Sequence, residues 1–225
     1  SLDSGNNVVP NYESLSPSRT GSYRISTITI GTAFDNNTSL NSTVFQQFEQ
    51  NVGLMKQRFN STGQIANYEN QSQDVLIPAF LAAYTGTSAD VVPLTPFPQI
   101  PLPNWRLDYN GLTKLGNLKD IFQAVTLSHA YSSNYSVTNF TNSLQYADVG
   151  LDVPLNSYNT GNNFATSVTQ DGQVVPIYVI SQVMISETFA PLVGINVRTK
   201  NKMTARFEYK TKRDLSLNIS NAQLT

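Results

Sequence analysis

Hydrophobic and polar positions alternate through the second half of the chain. Val125, Leu127, His129, Tyr131, Tyr135 and Val137 share one parity, and Thr126, Ser128, Ala130, Ser132, Asn134, Ser136 and Thr138 the other. A period of two places these sets on opposite faces of a β-strand, one apolar and aromatic, the other small and polar. The split returns in Met203, Ala205, Phe207 and Tyr209 against Thr204, Arg206, Glu208 and Lys210, and in Leu215, Leu217 and Ile219 against Ser216, Asn218 and Ser220. Val193, Ile195 and Val197 lead into Lys200-Asn201-Lys202. This predicts a hairpin in which Asn201 takes positive φ at small cost. With Tyr23–Phe34, Asn104–Tyr109, Phe140–Ala147 and Ile177–Thr188, the pattern predicts about eight strands.

Upstream the period changes. Phe45, Phe48, Val52, Met55 and Phe59 recur at steps of three and four between Thr43 and Phe59, the stripe of an amphipathic helix. Thr43 with Gln46 resembles a capping box, and Lys56 and Arg58 fall in the last turn. A second helix is predicted over Ile77–Thr85, with Asp74 and Pro78 at its start and Gly86 as its left-handed cap. Pro93, Pro96, Pro98, Pro101 and Pro103 then force an extended connection. The PxxP spacing within it reads as a stiff connector. Three segments follow: a flexible or extended lead-in over 1–22, a strand with two helices and the Pro-rich connector over 23–103, and antiparallel strands over 104–225.

Composition narrows the function. Fourteen Lys and Arg against 15 Asp and Glu leave a formal charge of −1, which gives no electrostatic reason to expect nucleic acid as a partner. No Cys is present, so thiol catalysis and disulfides are excluded. Charged residues make up 13%, well under the roughly 25% of ordinary domains. Ser, Thr, Asn and Gln take their place. No apolar run approaches the length of a membrane helix.

Chemistry-bearing motifs are sparse. His129 is the only histidine; with no ligand or nucleophile spacing around it, it reads as a packed strand residue. No nucleophile-elbow, dinucleotide or P-loop pattern occurs, so the chain is read as a non-enzyme without cofactor or metal. Lys200 and Lys202, and then Lys210, Lys212 and Arg213, read as two exposed hairpin ends rather than a phosphate site. The sequons at Asn36, Asn60, Asn139 and Asn218 are what an Asn/Ser/Thr-rich composition generates by chance.

Several predicted strands reach nine residues or more, near the nine to eleven or so that a tilted strand needs to cross a bilayer. On a membrane reading, Val125, Leu127, Tyr131, Tyr135, Val137, Phe207 and Tyr209 meet lipid or a covering helix, and Arg206, Glu208 and Lys210 line a wet lumen. On a soluble reading, the same apolar face closes a sandwich core. Alternation is identical in both.

Three stretches point to a family: Asp74-Val-Leu-Ile-Pro-Ala-Phe-Leu-Ala-Ala-Tyr84; Pro103-Asn-Trp-Arg-Leu-Asp-Tyr-Asn-Gly-Leu112; and Ala190-Pro-Leu-Val-Gly-Ile195 continuing through Phe207-Glu-Tyr-Lys210 and Leu215 to Thr225. With Val125–Tyr135 they resemble the C-terminal part of the SprA/Sov family, over most of the chain from Tyr23 onward. The resemblance implies a mainly β fold of long antiparallel strands, part of a large outer-membrane β-barrel wall with two inserted helices. It also implies a role in the protein-conducting channel of type IX secretion and in gliding motility. The partners implied are exported cargo proteins, a PorV-like outer-membrane subunit, a plug component and the lipid bilayer; no cofactor is implied. The chain starts without Met and stops at Thr225 without a closing aromatic, so on this reading it is a section of wall cut from a longer precursor. The alternative is a soluble cell-surface β domain for adhesion or glycan binding, using aromatics such as Trp105 and Tyr131.

Overall fold

The longest alternation in the sequence becomes the longest element. In the computed structural model, which describes residues 20–35, 42–61, 68–114, 116–143, 167–168, 174–176, 178–220 and 223–224, the strands are β1 Thr20–Ser26, β2 Trp105–Tyr109, β3 Phe122–Asn142, β4 Ser167–Val168, β5 Val174–Val175, β6 Tyr178–Val179, β7 Gln182–Thr199, β8 Thr204–Asn218 and β9 Gln223–Leu224. The helices are α1 Thr43–Ser61, α2 Gln73–Thr85 and the short α3 Leu118–Ile121. Residues 1–19, the Asn36 sequon and the end of the Phe140–Ala147 strand lie outside the described residues.

The chain is mainly antiparallel sheet. β3 pairs β7 along one edge, and on its other edge β1 and β2 follow one another, β1 against Asn134–Thr141 and β2 against Leu127–Tyr131. β7 in turn pairs β8, and β4 pairs β5 apart from the main sheet. Among the described residues the sheet does not close on itself.

The predicted strands merge into fewer, longer ones. Val125–Val137 and the start of Phe140–Ala147 are both β3, which passes Asn139 at φ 51, a left-handed value that Asn tolerates. The predicted Ile177–Thr188 strand splits: Ile177 lies outside the described residues, Tyr178–Val179 form the separate β6, and from Gln182 onward the chain joins the Val193 limb in β7. Five steps from Phe189 to Gly194 oppose three from Ser128 to Tyr131, so two extra residues bulge out beside Pro191, which has no N–H to give the ladder. Two is even, so the parity of β7 is the same on both sides of the bulge. The Met203 and Leu215 limbs are likewise one strand, β8. Lys210, Lys212 and Arg213 therefore sit in mid-strand; only Lys200 and Lys202 occupy a hairpin end. In that turn Lys202 takes the left-handed backbone, φ 63, instead of Asn201.

At the N-terminal side the expected Tyr23–Phe34 strand stops at Ser26. Thr27 still donates its N–H to Ser133 O, but Ile30–Thr32 then winds into a 3₁₀ turn. α1 buries Phe48, Val52, Met55 and Phe59 of its predicted stripe, with Val44 buried in place of the predicted Phe45, which is only half-buried. Its cap is Ser42, one residue ahead of the predicted Thr43: the Ser42 Oγ accepts from the Phe45 N–H at 3.1 Å. α2 begins four residues before the predicted Ile77, because the Ser72 carbonyl accepts from the Val75 and Leu76 N–H groups, and it ends on Gly86 at φ 69.

α2 is buried almost all round, as a helix must be when it packs on α1 and is tied to the sheet on its other side. Gln73 fastens its start: Nε2 donates to Tyr178 O at 2.6 Å, and Oε1 accepts from the Ile180 N–H at 3.1 Å. The Pro-rich connector is extended, as the prolines require, and serves as a strap over the sheet. Phe97 is buried edge-on against Tyr23, Phe140 and Tyr178, and Pro96 O accepts from the Tyr135 hydroxyl at 3.0 Å. Burying side chains of this size contributes about 1.5–3 kcal/mol each.

Burial holds the Tyr135 phenol well above the ordinary tyrosine range, and desolvation also raises Tyr23, Tyr68 and Tyr84, the last opposed by the positive charge of Arg213. A raised folded value means that the neutral phenols stabilise the fold fully below about pH 10, the unfolded value, and that this contribution is lost as pH climbs further. Part of the ultraviolet phenolate absorbance should therefore develop only in the step that abolishes near-ultraviolet circular dichroism. Complete phenolate formation with native dichroism would contradict the burial described here.

Candidate functional site

Odd-numbered residues of β2, of β3 between Ala124 and Val137, and of β7 and β8 share one face, and this face is half covered. Over its covered half, α1, α2 and the connector bury Tyr135, Val137, Val183, Ile185, Leu215 and Leu217, and at its edge Tyr131 is buried against Trp105, Phe189 and Thr29. Over the other half most of the apolar side chains are exposed, although the 3₁₀ turn Leu112–Lys114 and α3 meet β3 there. There Tyr109, Leu127, Ile195 and Phe207 stand side by side in cross-strand register on four strands. Beside them run Leu107, Val193 and Tyr209. Phe207 is 62% exposed and Leu107 61%, against 0% for Tyr135 and Val183.

The sequence-selected residues thus divide. Tyr131, Tyr135 and Val137 belong to the covered half, and Leu127, Phe207 and Tyr209 to the bare one. Val125 lies on the bare half of the strand but is itself buried, in register with Val197. A belt of rings marks the boundary. Trp105 stacks on Tyr131 with centroids 4.4 Å apart, Phe189 lies 5.0 Å from Tyr131, and Phe34 5.5 Å from Phe189. His129 joins this belt as a packing residue, its Nδ1 2.7 Å from Leu192 O.

Arg206, Glu208 and Lys210 occupy the opposite face. Glu208 Oε1 accepts from Arg206 Nε at 2.9 Å, and Oε2 pairs with Lys210 Nζ at 3.1 Å. Arg106 and Asp108 on β2 pair at 2.8 Å, and Lys212 with Asp214 at 2.7 Å. Hydrogen bonds from Lys212 and then Ser186 hold the Asp214 carboxyl below its usual value. This face is polar, and its cations on β2 and β8 are each paired with a carboxylate, Arg206 and Lys210 sharing Glu208.

No family model and no curated protein matches the chain.

Just inside the covered half lies a group that the sequence analysis did not single out. Glu187, 1% exposed, points into the core. Its Oε1 accepts from Thr29 Oγ1 at 2.6 Å and from the Tyr131 hydroxyl at 2.9 Å, and its Oε2 pairs with Arg213 Nη2 at 2.8 Å. The Tyr131 oxygen in turn accepts from the Thr29 N–H at 2.8 Å. Arg213 donates to Thr32 O at 2.5 Å and to Thr29 O at 3.2 Å, while Thr32 Oγ1 donates to Tyr84 O at 3.0 Å. Both carboxylate oxygens are engaged, so the cluster clamps the 3₁₀ turn and the end of α2 to β7 and β8. The available signal was a break in parity: Glu187 falls in the apolar series Val183, Ile185, Phe189, and Arg213 in the series Leu215, Leu217. Among the described residues no group of His, Asp or Glu is arranged to hold a metal, and no helix is long and apolar enough to cross a membrane.

Proposed function

We propose that this chain forms a section of the β-wall of a protein-conducting channel in an outer membrane, of the kind that serves type IX secretion and gliding motility. The observation that carries the wall is the bare apolar ladder Tyr109–Leu127–Ile195–Phe207 and its dimensions. From Phe122 to the aromatic belt at Tyr131, β3 runs for about ten residues, or about 33 Å at ~3.3 Å per residue. At the ~40° tilt of barrel strands this covers about 25 Å along the normal, the height of the apolar band of outer-membrane barrels, which aromatic girdles also flank. The polar, charge-paired opposite face suits a wet lumen. The β8 edge, paired by β9 only at Leu217 and Asn218, offers backbone groups for further wall strands.

The secretion role rests on the sequence resemblance. Cargo would pass the Arg206–Glu208–Lys210 side, and a PorV-like subunit and a plug component would be the partners. The soluble cell-surface reading, for adhesion or glycan binding, is favoured by one observation: the covered half has its own core and buried clamp and needs no bilayer to fold. In that case the bare ladder is a docking surface.

The absence of Cys makes the test direct. Single cysteines are placed at Leu127, Ile195 and Phe207, and at Thr126, Asn196 and Arg206, in the intact protein in its native membrane. A fluorophore on the odd-numbered set should be quenched by brominated lipid and protected from charged maleimide. The even-numbered set should react with the aqueous reagent. Equal aqueous labelling of both sets would overturn the wall and leave the soluble domain.

A further inference from the structure

The cations on the lumen-side face of β2 and β8 are matched to carboxylates, but those at the hairpin end are not. There the fold gathers Lys119 from α3, Arg198 from the end of β7, and Lys200 and Lys202 from the turn around a cleft of about 580 Å³, with Thr113 and Gln123 in its wall. None of these four cations is paired with a carboxylate among the described residues. Sequence spacing shows only the turn lysines. Lys119 arrives because α3 leads straight into β3, and because the Lys200 N–H donates to Ile121 O at 3.2 Å, closing the helix onto the hairpin.

Next to the cleft lysines along the chain, Leu118, Ile121 and Met203 are exposed, Met203 at 66%, and Phe122 lies in the cleft wall. The cleft therefore sits where the bare ladder ends, with charge on one side and oily surface on the other. We propose that it binds the phosphate headgroup of an anionic lipid, whose acyl chains lie along the ladder. Four unpaired cations suit a phosphate, Thr113 and Gln123 add hydrogen-bonding groups, and the adjoining apolar strip selects a lipid over a free anion. The choice of a lipid rests on the wall reading. Juxtamembrane cations each contribute about fivefold in affinity for an anionic surface.

The intact protein in neutral detergent is offered phosphatidylglycerol, phosphatidylcholine or inorganic phosphate, and retained ligand is counted by native mass spectrometry. The comparison variant carries Lys119→Gln, Arg198→Gln, Lys200→Gln and Lys202→Asn. All four positions are exposed, and Asn suits the left-handed backbone at 202. Phosphatidylglycerol should be preferred over phosphatidylcholine by more than about tenfold, and the variant should lose that preference. Lys210→Gln with Lys212→Gln, which removes paired charges elsewhere, should keep it. Retention of the preference in the cleft variant would overturn the proposal, as would inorganic phosphate binding as well as phosphatidylglycerol. If the cysteine pattern places odd-numbered residues in lipid while the cleft variant keeps its preference, the cleft falls and the wall stands. If odd-numbered residues are aqueous while the preference exists and the variant loses it, the wall falls and the cleft stands.

Discussion

Replacement of Arg213 by Met is expected to destabilise the fold by about 3–5 kcal/mol, because it leaves the Glu187 carboxylate buried without its counter-charge. Thr29 and Tyr131 still donate to Glu187 Oε1, but neither brings a positive charge. The same change frees Thr29 O and Thr32 O from the guanidinium, so the 3₁₀ turn and the end of α2 lose their tie to β8. Equilibrium unfolding in urea, read by the near-ultraviolet signal of the buried aromatics, measures the loss. Hydrogen exchange should report early opening around Thr29–Thr32. A double variant, Glu187→Leu with Arg213→Met, removes both charges. Thr29 Oγ1 keeps Ser133 Oγ at 3.0 Å as a partner, and the Tyr131 hydroxyl keeps the Thr29 N–H. Most of the single-variant loss should therefore return, since apolar replacements of whole buried pairs are often neutral or stabilising. A single variant costing less than about 1 kcal/mol, the scale of an exposed pair, would show that Glu187 is not desolvated in the folded protein.

The second large effect belongs to the bare ladder. Phe207→Lys or Ile195→Lys places an ammonium on the apolar face near the middle of the band. If that face meets lipid, folding into phospholipid vesicles should weaken by about 2–4 kcal/mol. In water, a change at so exposed a position as Phe207 ordinarily stays within about 0.5 kcal/mol. Thr126→Lys, on the opposite face one position from Leu127, serves as the control and should leave vesicle folding unchanged. The parity of the response carries the information: a wall predicts cost at odd positions and none at even ones. Equal, small effects at Phe207 and Thr126 would remove the bilayer from the account and favour a soluble sheet whose bare half is covered by a partner.

Much of the sheet was legible because alternation is a local signal. Val125–Val137 and Met203–Tyr209 each declare their two faces without any long-range information, and a bulge of two residues at Pro191 leaves that parity intact along β7. The α1 stripe and the Gly86 cap were legible for the same reason: each follows from spacing within a few turns of chain. What misled was punctuation. Asn139, Pro191 and the charged run Lys210–Asp214 look like strand ends, yet the ladder runs through all three. Neighbouring strands supply enough hydrogen bonds to carry an irregular residue past a break that its own propensity favours.

The chain pattern therefore specifies two chemically different faces, two substantial helices and a stiff proline strap, because side-chain direction and backbone restriction are set within a few residues. It does not specify how much of the apolar face those helices cover. That depends on where Gln73, Phe97 and the Glu187–Arg213 clamp fix the helical layer along strands much longer than the layer itself. Docking at one end leaves the other end bare, and contacts between residues more than a hundred positions apart decide which end it is. The basic cleft has the same origin: Lys119 and Lys202 are far apart along the chain and become neighbours only when β3 and β7 pair.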